Sequence, residues 1–159
     1  MEQNILYKFK KLDEKIVLIN KKNLVHNFKR IKQKVGKSKV LSVIKGDSYG
    51  HGMIECANVL HKSGSRDFYL ARLEDAITIR KQKYSSTNIY LLSGTISSGV
   101  CKQIRKYNIT PIINNLDQLK ILSAQSQIPN YVLHFDTGMN RLGFSYKEIE
   151  EIKKLTNNI

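Results

Sequence analysis

Phe68–Lys81 reads FYLARLEDAITIRK. Phe68–Ala71 is a short apolar run rich in strand formers, and Leu73, Ala76, Ile77 and Arg80 then recur at helical spacing. The stretch is one strand–turn–helix unit, and the pattern repeats on either side of it. Apolar runs of the same kind occur at Val40–Ile44, Asn88–Leu92, Thr110–Ile113 and Asn130–Phe135. Helical patterns follow them: Met53, Ala57 and Leu60; Val100, Ile104 and Tyr107; Leu116, Leu119 and Leu122; and a last helix from near Tyr146 through Ile149, Ile152 and Leu155. From the second strand on, the starts fall roughly every 20–22 residues, which predicts βαβ units and a parallel sheet.

Two architectures share that pattern, a doubly wound open sheet and a TIM barrel. A barrel needs eight strands, and this pattern holds about five. The expected fold class is therefore α/β, with parallel (β/α) repeats resembling an incomplete TIM barrel, about five of eight strands. The last helix, YKEIEEIKKLTNNI, runs to Ile159 without a sixth unit, so the whole of residues 1–159 is expected to be one partial barrel domain. In either architecture the site lies beyond the carboxyl ends of the strands. That singles out Lys45–Gly52, Arg72–Asp75, Ser93-Gly94, Asn114-Asn115 and Asp136–Gly143.

Composition narrows the classes. Charged residues at 25% and hydrophobic residues at 41% are ordinary for a globular domain. No apolar run is long enough to span a bilayer, and the N-terminal MEQNILYKFKK lacks the apolar stretch of a secretion signal. A cytoplasmic protein with no membrane partner is expected. Cys56 and Cys101 are the only cysteines and form no metal or redox motif, so both are expected as reduced core residues, with no metal. The net charge of +14 could signal a nucleic-acid partner. Its densest stretch, Lys21–Lys39, has eight basic residues and no acid. Leu24, Phe28, Ile31 and Val35 recur within it at helical spacing, however, so it reads as an amphipathic helix with a solvated basic face rather than a nucleic-acid site.

The loop after the first strand reads two ways. Gly46-Asp47-Ser48-Tyr49-Gly50 fits G-x-S-x-G, the nucleophile elbow of serine hydrolases. Too few strands precede Ser48 for that fold, no HGGG-type oxyanion loop exists, and the one histidine after His61, His134, falls inside a predicted strand. Ser48 is better read as a small spacer. Lys45 ends an apolar strand, where apolar walls favour the neutral amine that Schiff-base chemistry uses. At the other end of the sheet, Asp136-Thr137-Gly138 is the tripeptide of aspartic proteases, but those enzymes pair two such aspartates in all-β folds. A plain turn would have Asp136 capping, Gly138 and Gly143 bending, and Arg141 paired with a surface acid. A functional loop would offer Arg141 to an oxyanion.

Taken together, the two loops carry a resemblance. Lys45–Gly52, KGDSYGHG, closely resembles the lysine motif of alanine racemases, K-A-[ND]-A-Y-G-H-G, and Asp136–Gly143, DTGMNRLG, is similar to that family's D-T-G-M-x-R-L-G. Order and separation match, and FYLARLEDAITIRK, IYLLSGT and YNITPIINNLDQLKIL are similar too. The resemblance runs from about Lys15 onward and covers roughly the first two-fifths of such an enzyme. It implies a TIM-type barrel followed in the family by a C-terminal β domain, which this chain is expected to lack.

The resemblance also implies a function, the interconversion of L- and D-alanine for cell-wall synthesis with pyridoxal 5'-phosphate as cofactor, in a homodimer. Lys45 would bind the cofactor covalently and act as the base on one face of the substrate's α-carbon. Tyr49 would hold the phosphate, and Arg141 would serve the cofactor's phenolic oxygen and the substrate carboxylate. His51 would support the loop. Gly46 and Ser48 replace the family's alanines. His134 stands where many members have a lysine that helps hold the arginine. None of the eight tyrosines matches the opposite-face base, which the family draws from its C-terminal domain. The competing expectation is a non-catalytic pyridoxal-phosphate-binding protein or an inactive remnant.

Overall fold

The computed structural model describes residues 17–84 and 86–156; the N-terminal MEQNILYKFKK lies outside them. After helix α1 (Lys21–Val35) come β1 (Leu41–Val43), α2 (Met53–Lys62), β2 (Asp67–Leu70), α3 (Leu73–Lys81), β3 (Asn88–Leu91), α4 (Ser98–Lys106), β4 (Thr110–Ile113), α5 (Leu116–Ser123) and β5 (Val132–Leu133). A 3-10 turn, Tyr146–Glu148, leads into α6 (Ile149–Thr156).

The five strands are all parallel, in the order β1-β2-β3-β4-β5. A doubly wound sheet reverses its strand order part-way, and this one does not. The winding is that of a TIM barrel, with the helices on one face. Alternation along the strands shows the division. Ile44, Phe68, Leu70, Ile89 and Leu91 share a core with Met53, Ala57 and Leu60 of α2, Ala76 and Ile79 of α3, and Ile104 of α4. A second core joins Ile113 to Leu119 and Leu122 of α5, Phe144, and Ile152 of α6. The opposite face carries Leu41, Val43, Tyr69, Tyr90, Ile112 and Val132 by register. Leu41, Val43 and Val132 are exposed there.

That inner face has a polar floor. Asp67 is buried; its Oδ1 accepts from Asn88 Nδ2 at 2.8 Å and from the Tyr90 hydroxyl at 3.4 Å. The Tyr69 and Tyr90 rings meet edge to face, 5.0 Å between centroids. Burial first, and the Asp67 charge second, push both phenols above their ordinary range.

Spacing alone puts Arg80 on the apolar stripe of α3, and the structure gives it a different task. Its guanidinium donates to the carbonyls of Tyr107 (2.9 Å), Thr87 (2.9 Å) and Asn108 (2.6 Å), tying α3 to the segments before β3 and β4. Desolvation lowers its pKa.

Three expectations need adjustment. β5 covers Val132–Leu133 rather than Asn130–Phe135, because only Ile112 and Ile113 pair with it, and Phe135 instead bridges to Phe144 of its own loop. His134 therefore stands just past the strand. The amphipathic stripe of α1 is covered only in its first half: Phe28 is buried, whereas Ile31 is 51% exposed. The last helix begins as a 3-10 turn, where Ser145 and Glu148 form a capping box. Cys56 and Cys101 are both free and buried. No helix among the described residues is long and apolar enough to cross a membrane.

Candidate active site

β1 stops at Val43, and the amide of Ile44 still donates to Tyr69 O at 3.0 Å. Lys45 follows at once and opens a turn, Lys45–Gly50, in which Gly46, Asp47, Ser48 and Tyr49 all take left-handed angles, φ 53–58° and ψ 38–47°. Only Gly46 adopts these freely; each L-residue there costs about 1–2 kcal/mol. The surroundings hold the turn in place. Ser48 N donates to Ile44 O (3.1 Å) and Gly52 N to Asp47 O (3.0 Å). The His51 ring sits 2.7 Å from Ser48 O, so Nδ1 must carry the proton, since a carbonyl only accepts. Asp47 Oδ1 accepts from Met53 N, the first amide of α2. Strain of this kind, held by its neighbours, is characteristic of functional loops.

The turn separates the serine from the lysine. Ser48 is buried, and its Oγ has no hydrogen-bond partner among the described residues. An elbow nucleophile is exposed and bonded to a base, and Ser48 is neither. His51 is engaged with the Ser48 backbone, and His134 with Asn114. Tyr49, by contrast, is 66% exposed. Lys45 is half-buried, and neither residue has a hydrogen-bond, ion-pair or ring partner among the described residues.

At the far edge of the sheet, Asp136 organises its own loop. Oδ1 accepts from the amides of Gly138 and Met139, and Oδ2 from Asn140, each at 2.9 Å. The Gly138 amide, followed by that of Asn140, holds this carboxyl below its ordinary range. Gly143 closes the loop at φ 110°, where a Cβ would lie 2.7 Å from Asp136 N. The capping and bending expected of a plain turn are present. The surface acid expected for Arg141 is not, and Arg141 is exposed without an ion-pair or hydrogen-bond partner among the described residues.

Between these edges, Asn114 ties the strand ends together. It is buried, and Nδ2 donates to Leu92 O and Ile112 O, both at 3.0 Å. Gln118 accepts the Asn114 amide (2.9 Å) and donates to Ser93 O (2.9 Å).

The parallel sheet therefore presents Lys45, Tyr49 and Arg141 after its first and last strands, without partners among the described residues, on loops whose aspartates, Asp47 and Asp136, are committed to backbone amides. The sequence model for the alanine racemase N-terminal domain matches residues 19–158. The chain belongs to the alanine racemase family. It is similar to the alanine racemase of Clostridium kluyveri, 38% identical over 144 residues that cover 87% of this chain and 36% of that protein. The Rickettsia bellii alanine racemase is 36% identical over 70% of this chain and 28% of its own length. Among solved structures, alanine racemase from Acinetobacter baumannii superposes with a TM-score of 0.78 at 28% identity, over 88% of this chain and 42% of that one. The chain thus spans about two-fifths or less of the length of these relatives.

Within this alanine racemase family member, Lys45 and Tyr49 share one turn, whereas Arg141 follows the last strand. Four strand spacings of about 4.8 Å separate the two edges, roughly 19 Å along the sheet, and no contact joins Arg141 to Lys45. A pocket of ≈ 470 Å³ adjoins the turn, lined by Leu18, Asn23, Leu24, Ser48, His51 and Cys56 among others. Lys45, Tyr49 and Arg141 are not among its lining residues. Sequence reasoning missed Asp47 and Asn114 as the residues that hold the site. An acid six residues before the helix start at Met53 hints at the first; the second is marked only by its place just after β4.

Proposed function

We propose that this chain carries the lysine side of a pyridoxal-phosphate-dependent alanine racemase site, with Lys45, Tyr49 and Arg141 in the roles their motifs suggest. The observation that carries the reading is Lys45 itself: an amine placed directly after β1 at the head of a strained left-handed turn, with no partner among the described residues. The donor set fits the cofactor. Lys45, the Tyr49 phenol and the Arg141 guanidinium are all free donors, and a phosphate, a phenolate and a carboxylate are all acceptors. The Bartonella henselae alanine racemase, which shares this fold at 23% identity, contains covalently bound pyridoxal phosphate.

When bound, pyridoxal phosphate supplies the electron sink for a carbanion at the amino-acid α-carbon. The chain's own residues would supply position and proton transfer. Lys45 Nζ would hold the cofactor covalently and could take or return a proton on one face of the substrate's α-carbon. Tyr49 would donate to the phosphate. Arg141 would hold the phenolic oxygen and the substrate carboxylate, for which its planar guanidinium is better suited than an ammonium. Alanine is the substrate named for the 38% and 36% identical relatives, although a histidine racemase from Leuconostoc mesenteroides shares the fold at 25% identity and a TM-score of 0.73. A cytoplasmic homodimer supplying D-alanine to peptidoglycan completes the proposal.

The test is chemical trapping. The purified chain is incubated with pyridoxal phosphate, reduced with borohydride and digested. A reduced adduct on the Lys45 peptide, lost in Lys45→Ala, is expected. Adducts scattered over the other lysines, with none enriched at Lys45, would overturn the reading. Deuterium uptake at the alanine α-carbon in D2O then separates a proton-transferring site from a cofactor carrier.

A further inference from the structure

Ser48 is the unanswered group of the Lys45 turn. Its Oγ is buried without a hydrogen-bond partner, the one such side-chain atom among the described residues. Buried polar groups are nearly always paired, and leaving one unpaired costs stability. The family's lysine motif has alanine here, so the hydroxyl is this chain's own. Its backbone is pinned on both sides: Ser48 N donates to Ile44 O at 3.1 Å, and Ser48 O accepts from His51 N at 3.2 Å and from His51 Nδ1 at 2.7 Å.

Ser48 also lines the pocket of ≈ 470 Å³, a volume within the range of small-molecule sites. Its other buried lining residues are Ile44, Cys56 and Leu60. The polar neighbours are committed elsewhere. Asn20 Oδ1 accepts the amides of Lys22 and Asn23, His51 Nδ1–H is given to Ser48 O, and Cys56 Sγ donates to His51 O at 3.6 Å. No lysine, arginine, aspartate or glutamate lines the pocket, in a chain with 27 lysines and arginines. Lys21 and Glu55, in a smaller cavity that shares Leu24, His51 and Cys56, are paired with each other.

We propose that this pocket binds a small uncharged molecule with an apolar body and one hydrogen-bonding group, which Ser48 Oγ receives. A charged ligand would lose its hydration there with no counter-charge to meet it. A wholly apolar one would leave the hydroxyl unmet. A water could reach the hydroxyl, but a buried water takes about two to four polar partners, and the side chains of Leu24, Ile44 and Leu60 offer none. A hydroxyl both gives and takes, so an alcohol or a carbonyl suits it. Asn23 and Asn27, one turn apart on α1 and exposed, add two amides to the same lining. Ser48 sits between Lys45 and Tyr49 in one turn, so a bound molecule touches the element that presents both.

Probes that share one ring separate these terms: benzyl alcohol, toluene, benzylammonium and benzoate. Each is titrated into the 15N-labelled full chain and followed by amide shifts. Benzyl alcohol should give saturable shifts centred on Leu24, Ser48, His51 and Cys56. It should bind about threefold to tenfold more tightly than toluene, the weight of one hydrogen bond. The two ions should leave these amides in place at the same concentrations. Ser48→Ala should bring benzyl alcohol down to the affinity of toluene and leave toluene unchanged. Benzyl alcohol no tighter than toluene, a preference that survives Ser48→Ala, ions that bind as well, or shifts that never saturate would each overturn the site. If Ser48→Ala does not fold, the wild-type comparison of the probes decides by itself. None of these outcomes depends on the racemase reading, whose own test is trapping at Lys45.

Discussion

Asp47 Oδ1 accepts the backbone amide of Met53 at 2.6 Å, so the left-handed turn that presents Lys45 also caps helix α2. One side chain serves two elements: it satisfies an orphan amide at a helix start and pins the turn by its far end. Asp47→Ala is expected to cost about 1–2 kcal/mol, the range for a lost cap, and Asp47→Asn about half of that. Urea unfolding followed by circular dichroism measures both. A loss in Asp47→Ala below the error of the fit would mean that the turn stands without its cap.

Gly143 is the closing residue of the Arg141 loop, and its replacement should be worse than that of Gly138. A Cβ at Gly143 would lie 2.7 Å from Asp136 N and 2.9 Å from Phe135 C, both backbone atoms, while one at Gly138 would meet nothing within 4 Å. Both have positive φ, 110° and 131°. Gly138→Ala therefore carries backbone strain alone, about 1 kcal/mol, and Gly143→Ala strain plus a clash, about 2–3 kcal/mol. Equal midpoints for the two variants would show that the loop base can give way.

Asp136 makes the same loop acid-sensitive. Its folded pKa is depressed, first by the Gly138 amide and then by that of Asn140. A depressed carboxyl contributes stability that is complete above the unfolded value, about 3.9, and is lost as pH falls through the lower folded value. The loop amides of Gly138, Met139 and Asn140 should hold their chemical shifts down to about pH 4 and move together below it. Asp136→Asn should flatten that response. Shifts that move near pH 6 instead would assign the titration to another group.

Much of this architecture is legible in the sequence, because the repeat of strand and helix is written in local patterns. Phe68–Lys81 alone shows both periods, and β4 falls at Thr110–Ile113 as read. Three features are not local. The left-handed turn uses Asp47, Ser48 and Tyr49 in a conformation that their types disfavour, held by contacts to Ile44, His51, Gly52 and Met53. The apolar spacing of α1 marks Ile31 for burial as strongly as Phe28, yet whether a neighbour covers either is a tertiary matter. The link from Asn114 to His134 joins residues twenty apart in sequence that meet only because β4 and β5 are adjacent. Lys45, Arg141 and the capping Asp136 could be singled out from their motifs; the contacts made by Asp47 and Asn114 could not.

Arg80 shows what such a hidden role weighs. Its guanidinium satisfies three carbonyls from two separate segments, and Thr87 and the turn at Tyr107-Asn108 precede β3 and β4. Charged donors make the stronger hydrogen bonds, and removing this one takes a donor from three carbonyls at once. Arg80→Ala is expected to destabilise the fold by about 2–4 kcal/mol, and Arg80→Lys by less, since an ammonium can reach one carbonyl but lacks the planar fork that spans all three. The site is remote from Lys45, so trapping of pyridoxal phosphate by the folded fraction should be unaffected. Hydrogen exchange locates the damage: the amides of β3 and β4 should lose protection before those of α2. Uniform loss across the sheet would instead make Arg80 a contributor to global stability rather than a local clamp.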